Sequence, residues 1–319
     1  MPENHVPAGL LDVVVVSYWS SLQLTGLLTG LPRDCTVTVV DNAEDVDCDT
    51  RQVCDDNGAR VTHLPLGRNT GFGYGCNVGA RNGNAPFILF VNPDCRVDEH
   101  VIGTLLATME DEPTAAACAP LLTAEDSDRS QIFGGAAPRL PTALGYLTLP
   151  DRLLGRWCIW ARTTRSRAPV RVEWLSGACL VVRREAFDDV NGFREDLFMY
   201  NEDIDLCVRL RRDGWTVILD PSVTGRHAGG RSSRLDVDIA GLWSRSTLRY
   251  LGLAERSFRS VLIAALLLGG MCRRHILAVL LMRGRWTGGS RHGATFTRQF
   301  AAELLKMLRD TPPATSPPK

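Results

Sequence analysis

Four groups of residues in this 319-residue chain have the types and spacing to do chemistry. Asn92-Pro93-Asp94 closes the apolar run Phe87–Val91. A carboxylate fixed at a strand end can hold a hard divalent cation against the phosphates of a nucleotide, although an Asp after Pro is also an ordinary turn former. Asn201-Glu202-Asp203-Ile204-Asp205 opens a helical stretch directly after Leu197-Phe198-Met199-Tyr200. Acids in a first helical turn suit the macrodipole, and the apolar run before them brings Glu202 and Asp203 out at a cleft edge, where a general base has to sit. Gly67-Arg68-Asn69-Thr70-Gly71-Phe72-Gly73-Tyr74-Gly75-Cys76-Asn77 offers backbone that approaches a ligand closely and a guanidinium for a phosphate or base edge. Its third glycine, Gly75, falls one place early for a dinucleotide fingerprint. His227, just before Ala228-Gly229-Gly230, adds an imidazole that by itself is an ordinary surface or core residue.

The elements that must carry these groups alternate. Short β-branched runs at Val13–Ser17, Val37–Val40, Ala59–Leu64 and Phe87–Val91 are separated by helical stretches, the rhythm of parallel strands with crossover helices. Three of them end in polar clusters, Ser17-Tyr18, Asp41-Asn42 and Asn92-Pro93-Asp94. In an open α/β sheet such endings line one crevice. A further strand is expected at Ala115–Pro120, then an irregular Gly/Pro/Arg-rich loop from Gly134 to Val170 that would grip an acceptor, lie on a membrane or simply be solvated. A strand over Val172–Val182, a segment Arg184–Asn191, a helix over Phe198–Gly214 and a strand Trp215–Asp220 complete the pattern.

A net formal charge of zero hides a division. Residues 241–319 hold thirteen Lys/Arg against three Asp/Glu, a net of +10, which leaves 23 against 33, or −10, in residues 1–240. A basic tail suits an anionic surface. Its apolar runs Val261–Met271 and His275–Met282 are each short of the ~20 residues that span a bilayer and are split by Arg273-Arg274. Amphipathic helices at a membrane interface are expected, with a helical subdomain or an oligomer contact as the alternative. The ten cysteines contain no C-x-x-C pair and several sit in apolar runs, as in a reduced, cytoplasmic protein. Met1–Leu10 does not resemble a signal peptide. The domain reading is therefore 1–240 catalytic, 241–310 a basic helical tail and 311–319 a Pro-rich disordered end.

Taken in order, Val13-Val14-Val15-Val16-Ser17-Tyr18, Val39-Val40-Asp41-Asn42, Asn69-Thr70-Gly71-Phe72-Gly73 through Asn77, Phe90-Val91-Asn92-Pro93-Asp94, Trp174-Leu175-Ser176-Gly177-Ala178-Cys179, Glu202-Asp203-Ile204-Asp205-Leu206-Cys207 and His227 resemble the family 2 glycosyltransferases, in particular their rhamnosyltransferase-like branch. The resemblance implies a GT-A fold, a mixed α/β sheet flanked by helices. It also implies a nucleoside-diphosphate-sugar donor (dTDP- or UDP-linked), a divalent metal, Mg²⁺ or Mn²⁺, and an inverting displacement. By position it assigns Asp203, with Glu202 beside it, as catalytic base. Ser17, Tyr18, Asp41, Arg68, Asn69, Asn77 and Asn92 go to the donor, Trp174, Ser176 and Gly177 to the floor under sugar and acceptor, and Asp94 and His227 to the metal. Asn92 stands where a D-x-D motif has its first acid, which gives His227 more weight. The acceptor implied is a lipid-linked or cell-envelope glycan, with the enzyme peripheral to the inner face of the membrane and no nucleic acid involved. Two rivals remain at this level. A nucleotidyltransferase would need a Gly- and Lys/Arg-rich loop where Ser17-Tyr18-Trp19 stands. An inactive membrane-docking protein would not need intact Asp94 and Asp203.

Overall fold

The computed structural model of the chain describes residues 5–44, 48–154, 157–162, 164, 166–229, 238–281 and 288–310. They fall into two units: residues 1–135, 160–198 and 202–237 make the first, and residues 136–159, 199–201 and 238–319 the second.

The first unit begins with four β/α repeats: β1 (Leu11–Ser17), α1 (Ser21–Gly30), β2 (Thr36–Asp41), α2 (Cys48–Asp56), β3 (Val61–Pro65), α3 (Phe72–Ala80), β4 (Phe87–Val91), β5 (Cys95–Arg96) and α4 (Glu99–Asp111). β6 (Ala115–Ala124) and β7 (Gly134–Gly135) follow, and then α5 (Leu140–Thr148) and α6 (Asp151–Leu154), which belong to the second unit. The chain returns through β8 (Val170–Val172), β9 (Trp174–Leu175), β10 (Cys179–Arg183), α7 (Arg184–Asp189), α8 (Glu202–Arg212) and β11 (Thr216–His227). Among the described residues nine strands form one mixed sheet in the order β3-β2-β1-β4-β10-β6-β11-β5, with β8 also on β11. β3, β2, β1 and β4 are mutually parallel, and β10 runs antiparallel between β4 and β6. In register, Ser17 lies beside Asp41 and Asp41 beside Pro65, so the polar endings of β1 and β2 reach the same edge.

The central strands are apolar on both faces because helices cover both. On one side Val13, Val15, Leu24, Leu28, Leu89, Ile102, Leu105 and Met109 share a core. On the other, the Phe90, Phe187 and Phe193 rings stack edge-on or tilted at 5.1–5.7 Å between centroids. The glycines of α3 serve this packing. A Cβ on Gly75 would lie 3.0 Å from both Val16 methyls, so this glycine lets the helix settle on β1.

Four other expectations change. The 172–182 strand is broken: β9 pairs with β7 in a separate two-stranded sheet, β10 joins the main sheet, and Ser176–Ala178 turns between them. The 198–214 helix starts only at Glu202, because Tyr200 and Asn201 hold left-handed φ values of 71° and 66°, which cost roughly 1–2 kcal/mol each outside glycine. The last strand does not stop at Asp220 but runs to His227 through a register shift between Asp220 and Thr224. Asp220 braces that shift by accepting from Ser222 N (3.0 Å), Ser222 Oγ (2.6 Å) and Thr108 Oγ1 (2.6 Å). The 134–170 loop, finally, contains two helices.

In the second unit, α9 (Ile239–Tyr250), α10 (Phe258–Leu281) and α11 (Gly288–Asp310) accompany α5 and α6. Trp243 packs on Phe296 and Phe300 at 5.7 and 5.8 Å, and Arg245 pairs with Glu303 at 2.9 Å. The two short apolar runs of the sequence reading are one continuous helix. Arg273-Arg274 do not interrupt it, because the Arg273 guanidinium donates to Leu149 O at 2.7 Å, and Arg274 donates to Tyr146 O with its guanidinium 3.5 Å above the Tyr146 ring. Both arginines therefore satisfy the carbonyl end of α5. Over Phe258–Leu277, α10 is long and apolar enough to cross a membrane by length and composition.

Candidate active site

The end of β4 and the end of β11 meet at a buried carboxylate. Asp94 is 2% exposed, and among the described residues neither carboxylate oxygen has a hydrogen-bond donor. Its main chain is pinned by Ala228 N (3.1 Å), and the short β5 ties the next residues to Arg226 and His227. His227 Nε2 lies 3.2 Å from Asp94 Oδ1 and 3.3 Å from Asn92 Nδ2. The other ring nitrogen, Nδ1, is 2.7 Å from Gln131 Oε1, while Gln131 Nε2 donates to the His227 carbonyl at 2.6 Å. An amide oxygen only accepts, so Nδ1 donates to Gln131, and in the neutral ring Nε2 presents a lone pair toward Asp94 and the Asn92 amide. An unsolvated carboxylate beside an imidazole lone pair costs several kcal/mol unless a cation joins them. The oxygen and nitrogen donors suit Mg²⁺ or Mn²⁺.

Two consecutive residues, Gly177 and Ala178, link this end of β4 to the start of α8. Ala178 O accepts from Asn92 N at 2.9 Å and from Cys95 Sγ at 3.0 Å. On the other side of the same turn, Gly177 N donates to Asp203 Oδ2 at 3.0 Å, and Ile204 N donates to Asp203 Oδ1 at 2.8 Å. Gly177 is small for a reason. A Cβ there would lie 3.3 Å from the Phe72 ring and 3.5 Å from Asp203 Cβ. Burial raises the Asp203 pKa above the usual aspartate value, against the pull of its N–H donors. Glu202 is buried next to it and, among the described residues, its Oε2 has no partner; burial together with the neighbouring Asp203 pushes its carboxyl well above the ordinary range. Asp203 is thus a half-buried carboxylate with raised affinity for a proton, and Glu202 beside it favours its protonated form.

The residues expected at the donor are divided. Asp41 is 1% exposed, with Oδ1 accepting from Ala43 N (3.0 Å) and Oδ2 3.1 Å from His63 Nε2. Tyr18 is half-buried and its hydroxyl reaches Glu44 at 3.2 Å, while Arg68 is exposed. Asn69 turns the loop by accepting from Gly71 N at 3.1 Å. Three residues face inward instead. Ser17 is fully buried against Ser20 Oγ (2.9 Å). Asn77 is 5% exposed and clamps Phe193 through both its N–H (2.8 Å) and its C=O (2.9 Å). Trp174 is buried in β9, while Ser176, whose Oγ faces Ala178 N at 3.4 Å, stays half-buried in the turn. Their polar atoms hold the frame, because a strand end and a helix buried this deeply must satisfy such groups locally.

A model of glycosyltransferase-like family 2 matches residues 7–244. The chain belongs to glycosyltransferase family 2. This glycosyltransferase is 32% identical over 267 residues to N-acetylglucosaminyl-diphospho-decaprenol L-rhamnosyltransferase of Mycobacterium tuberculosis, covering 77% of this chain and 85% of that one. It is 25% identical to the rhamnosyltransferase WbbL of Escherichia coli, over 78% and 97% of the two chains. Among solved structures it is similar to a Pyrobaculum calidifontis mannosyltransferase in complex with GDP-Man and Mn²⁺ (TM-score 0.60, 14% identity, 98% and 92% covered). It is also similar to TarS of S. aureus in complex with UDP-GlcNAc (TM-score 0.54, 14% identity, 95% and 81% covered). These likenesses establish the GT-A fold of the glycosyltransferase.

Gln131 escapes the sequence reading: it follows a polar turn with no motif around it, and only the 96-residue jump to His227 gives it a role. Asn42, read with Asp41 as the polar ending of a strand, fastens the Gly-rich loop to the end of β2, donating to Gly71 O (3.0 Å) and accepting from Thr70 Oγ1 (2.9 Å).

Proposed function

We propose that this glycosyltransferase is an inverting, metal-assisted rhamnosyltransferase that moves the sugar of a deoxythymidine- or uridine-diphosphate donor to a hydroxyl of a lipid-linked glycan. The observation that carries the reading is the Gly177-Ala178 turn, whose Gly177 N–H bonds the Asp203 carboxylate and whose Ala178 carbonyl bonds the Asn92 main chain, two residues before Asp94. In this reading Asp203 accepts the proton of the acceptor hydroxyl as the new bond to the anomeric carbon forms and the bond to the diphosphate oxygen breaks, on opposite faces of the sugar. One base suffices for a single displacement, and no enzyme-bound sugar is required. Asp94 and His227 would hold a Mg²⁺ or Mn²⁺ ion. When bound, that ion neutralises charge gathering on the departing diphosphate. Among the described residues no three His, Cys, Asp or Glu side chains converge, so a cation held by Asp94 and His227 would need further ligands from substrate phosphates and water.

The lipid-linked acceptor is supported by the name of the Mycobacterium tuberculosis relative and by the second unit. There Leu144 on α5, Leu149 just after it, Leu153 on α6, and Ile276 and Leu280 on α10 are exposed, in a chain whose last 79 residues carry a net +10. Such a surface suits the inner leaflet of a membrane. The test is transfer from a panel of nucleotide sugars to a polyprenyl-diphosphate-linked acceptor, with and without Mn²⁺, and the anomeric configuration of the product read by NMR. Inversion from a deoxythymidine-diphosphate-rhamnose donor is expected. A retained configuration, or equal turnover in excess chelator, refutes the reading.

A further inference from the structure

Tyr200 and Asn201 are non-glycine residues held consecutively in left-handed backbone, immediately before the carboxylates that open α8. A bulky aromatic residue keeps such a conformation only where its surroundings over-determine it, and a strained turn of this kind gathers at sites whose geometry matters. The surroundings are specific. Ser246 Oγ of α9 donates to Tyr200 O. Thr247, next along the same helix and fully buried, donates its hydroxyl proton to Trp243 O at 2.8 Å, which leaves its oxygen to accept Asn201 Nδ2 at 3.1 Å. Asn201 itself is 4% exposed. An asparagine is the non-glycine residue that best tolerates this backbone, and here its side chain is also spent on keeping it.

We infer that Ser246 and Thr247 are positioning residues for the catalytic base: by holding Tyr200 and Asn201 left-handed they fix the residue at which α8 begins, and so where Asp203 stands. Without the turn, the favoured right-handed backbone would carry the helix one or two residues further toward its N-terminus, and the Ile204 N–H that now bonds Asp203 Oδ1 would turn to the Tyr200 carbonyl, releasing the Asp203 side chain. The inference rests on Asp203 being the base.

Thr247→Val removes the acceptor at nearly constant volume, and Thr247→Ser keeps it. Displacing a reacting group by an ångström or less costs up to about a hundredfold in turnover. The expectation is a kcat lowered about ten- to a hundredfold in Thr247→Val, with KM for the nucleotide sugar unchanged and with near-normal turnover in Thr247→Ser. The acid limb of the kcat/KM profile should also move to higher pH, as the N–H bonds that favour the charged base loosen. Ser246→Ala, which leaves the buried threonine in place, should lower kcat in the same selective way, and it serves if Thr247→Val does not fold. A normal kcat in Thr247→Val, or a kcat loss matched by lost donor affinity with an unmoved pH profile, overturns the inference. If Asp203→Asn is inactive while both α9 variants are normal, this inference alone fails; if Asp203→Asn is active, the assignment of the base fails first.

Discussion

Replacing Asp203 with Asn removes a proton acceptor and alters two hydrogen bonds. In the native site Oδ2 accepts from Gly177 N at 3.0 Å and Oδ1 from Ile204 N at 2.8 Å. The amide has one oxygen, so one of those N–H groups faces an NH₂ and loses its partner, at about 1–3 kcal/mol of stability. The substitution also ends the burial of a carboxylate whose charge is disfavoured there, which offsets part of that cost. The variant should fold. Losing the general base costs about 10²- to 10⁴-fold in kcat, or roughly 2.7–5.4 kcal/mol at about 1.36 kcal/mol per decade. Initial rates at saturating donor and acceptor measure the loss, and calorimetry with the nucleotide sugar checks that donor affinity survives. A variant that keeps more than about a tenth of normal turnover, well above the loss a missing base entails, refutes the role.

The remaining predictions concern protons and the cation. Because Asp203 acts only when deprotonated and burial raises its pKa, the acid limb of kcat/KM should lie above the pH at which a free aspartate titrates; a limb at or below it contradicts the assignment. Glu202, pushed well above the ordinary range, keeps a proton that the unfolded chain gives up. The stability present below the unfolded glutamate value is therefore lost as pH rises toward the folded one, and Glu202→Gln should flatten the fall of Tm as pH rises above the ordinary glutamate range. An unchanged slope would mean that Glu202 is not a buried acid. Asp94→Ala should abolish the Mn²⁺ dependence of donor affinity seen by calorimetry, and equal affinity in both proteins would remove Asp94 from the metal. Gln131→Leu, which frees the His227 ring, should weaken Mn²⁺ binding about 10- to 100-fold, a result that an unaltered titration would exclude.

The sheet was readable because its signal is local. Val13–Ser17 and Phe87–Val91 are apolar runs ended by polar residues, and the strands occupy 11–17 and 87–91. The failures share another cause: contacts made at long range. Nothing near Tyr200 announces a left-handed pair, since the residues that hold it lie 46 positions away. Arg273 and Arg274 read as breakers of an apolar helix until Tyr146 and Leu149 supply carbonyls to receive them. Asn77 sits inside a motif that matches the family, yet its amide goes to Phe193, 116 residues on. Residue type and order located Asp94 and Asp203. Which of their neighbours face the site and which brace it depends on partners that no spacing rule names.

Gly177 N and Ala178 O lie only two residues apart, so the turn between them is a short tether with one end on the Asp203 carboxylate and the other on the Asn92 main chain. A substitution that lengthened or loosened this turn would release the start of α8 from the end of β4, whereas the loops beyond it can vary without changing that spacing.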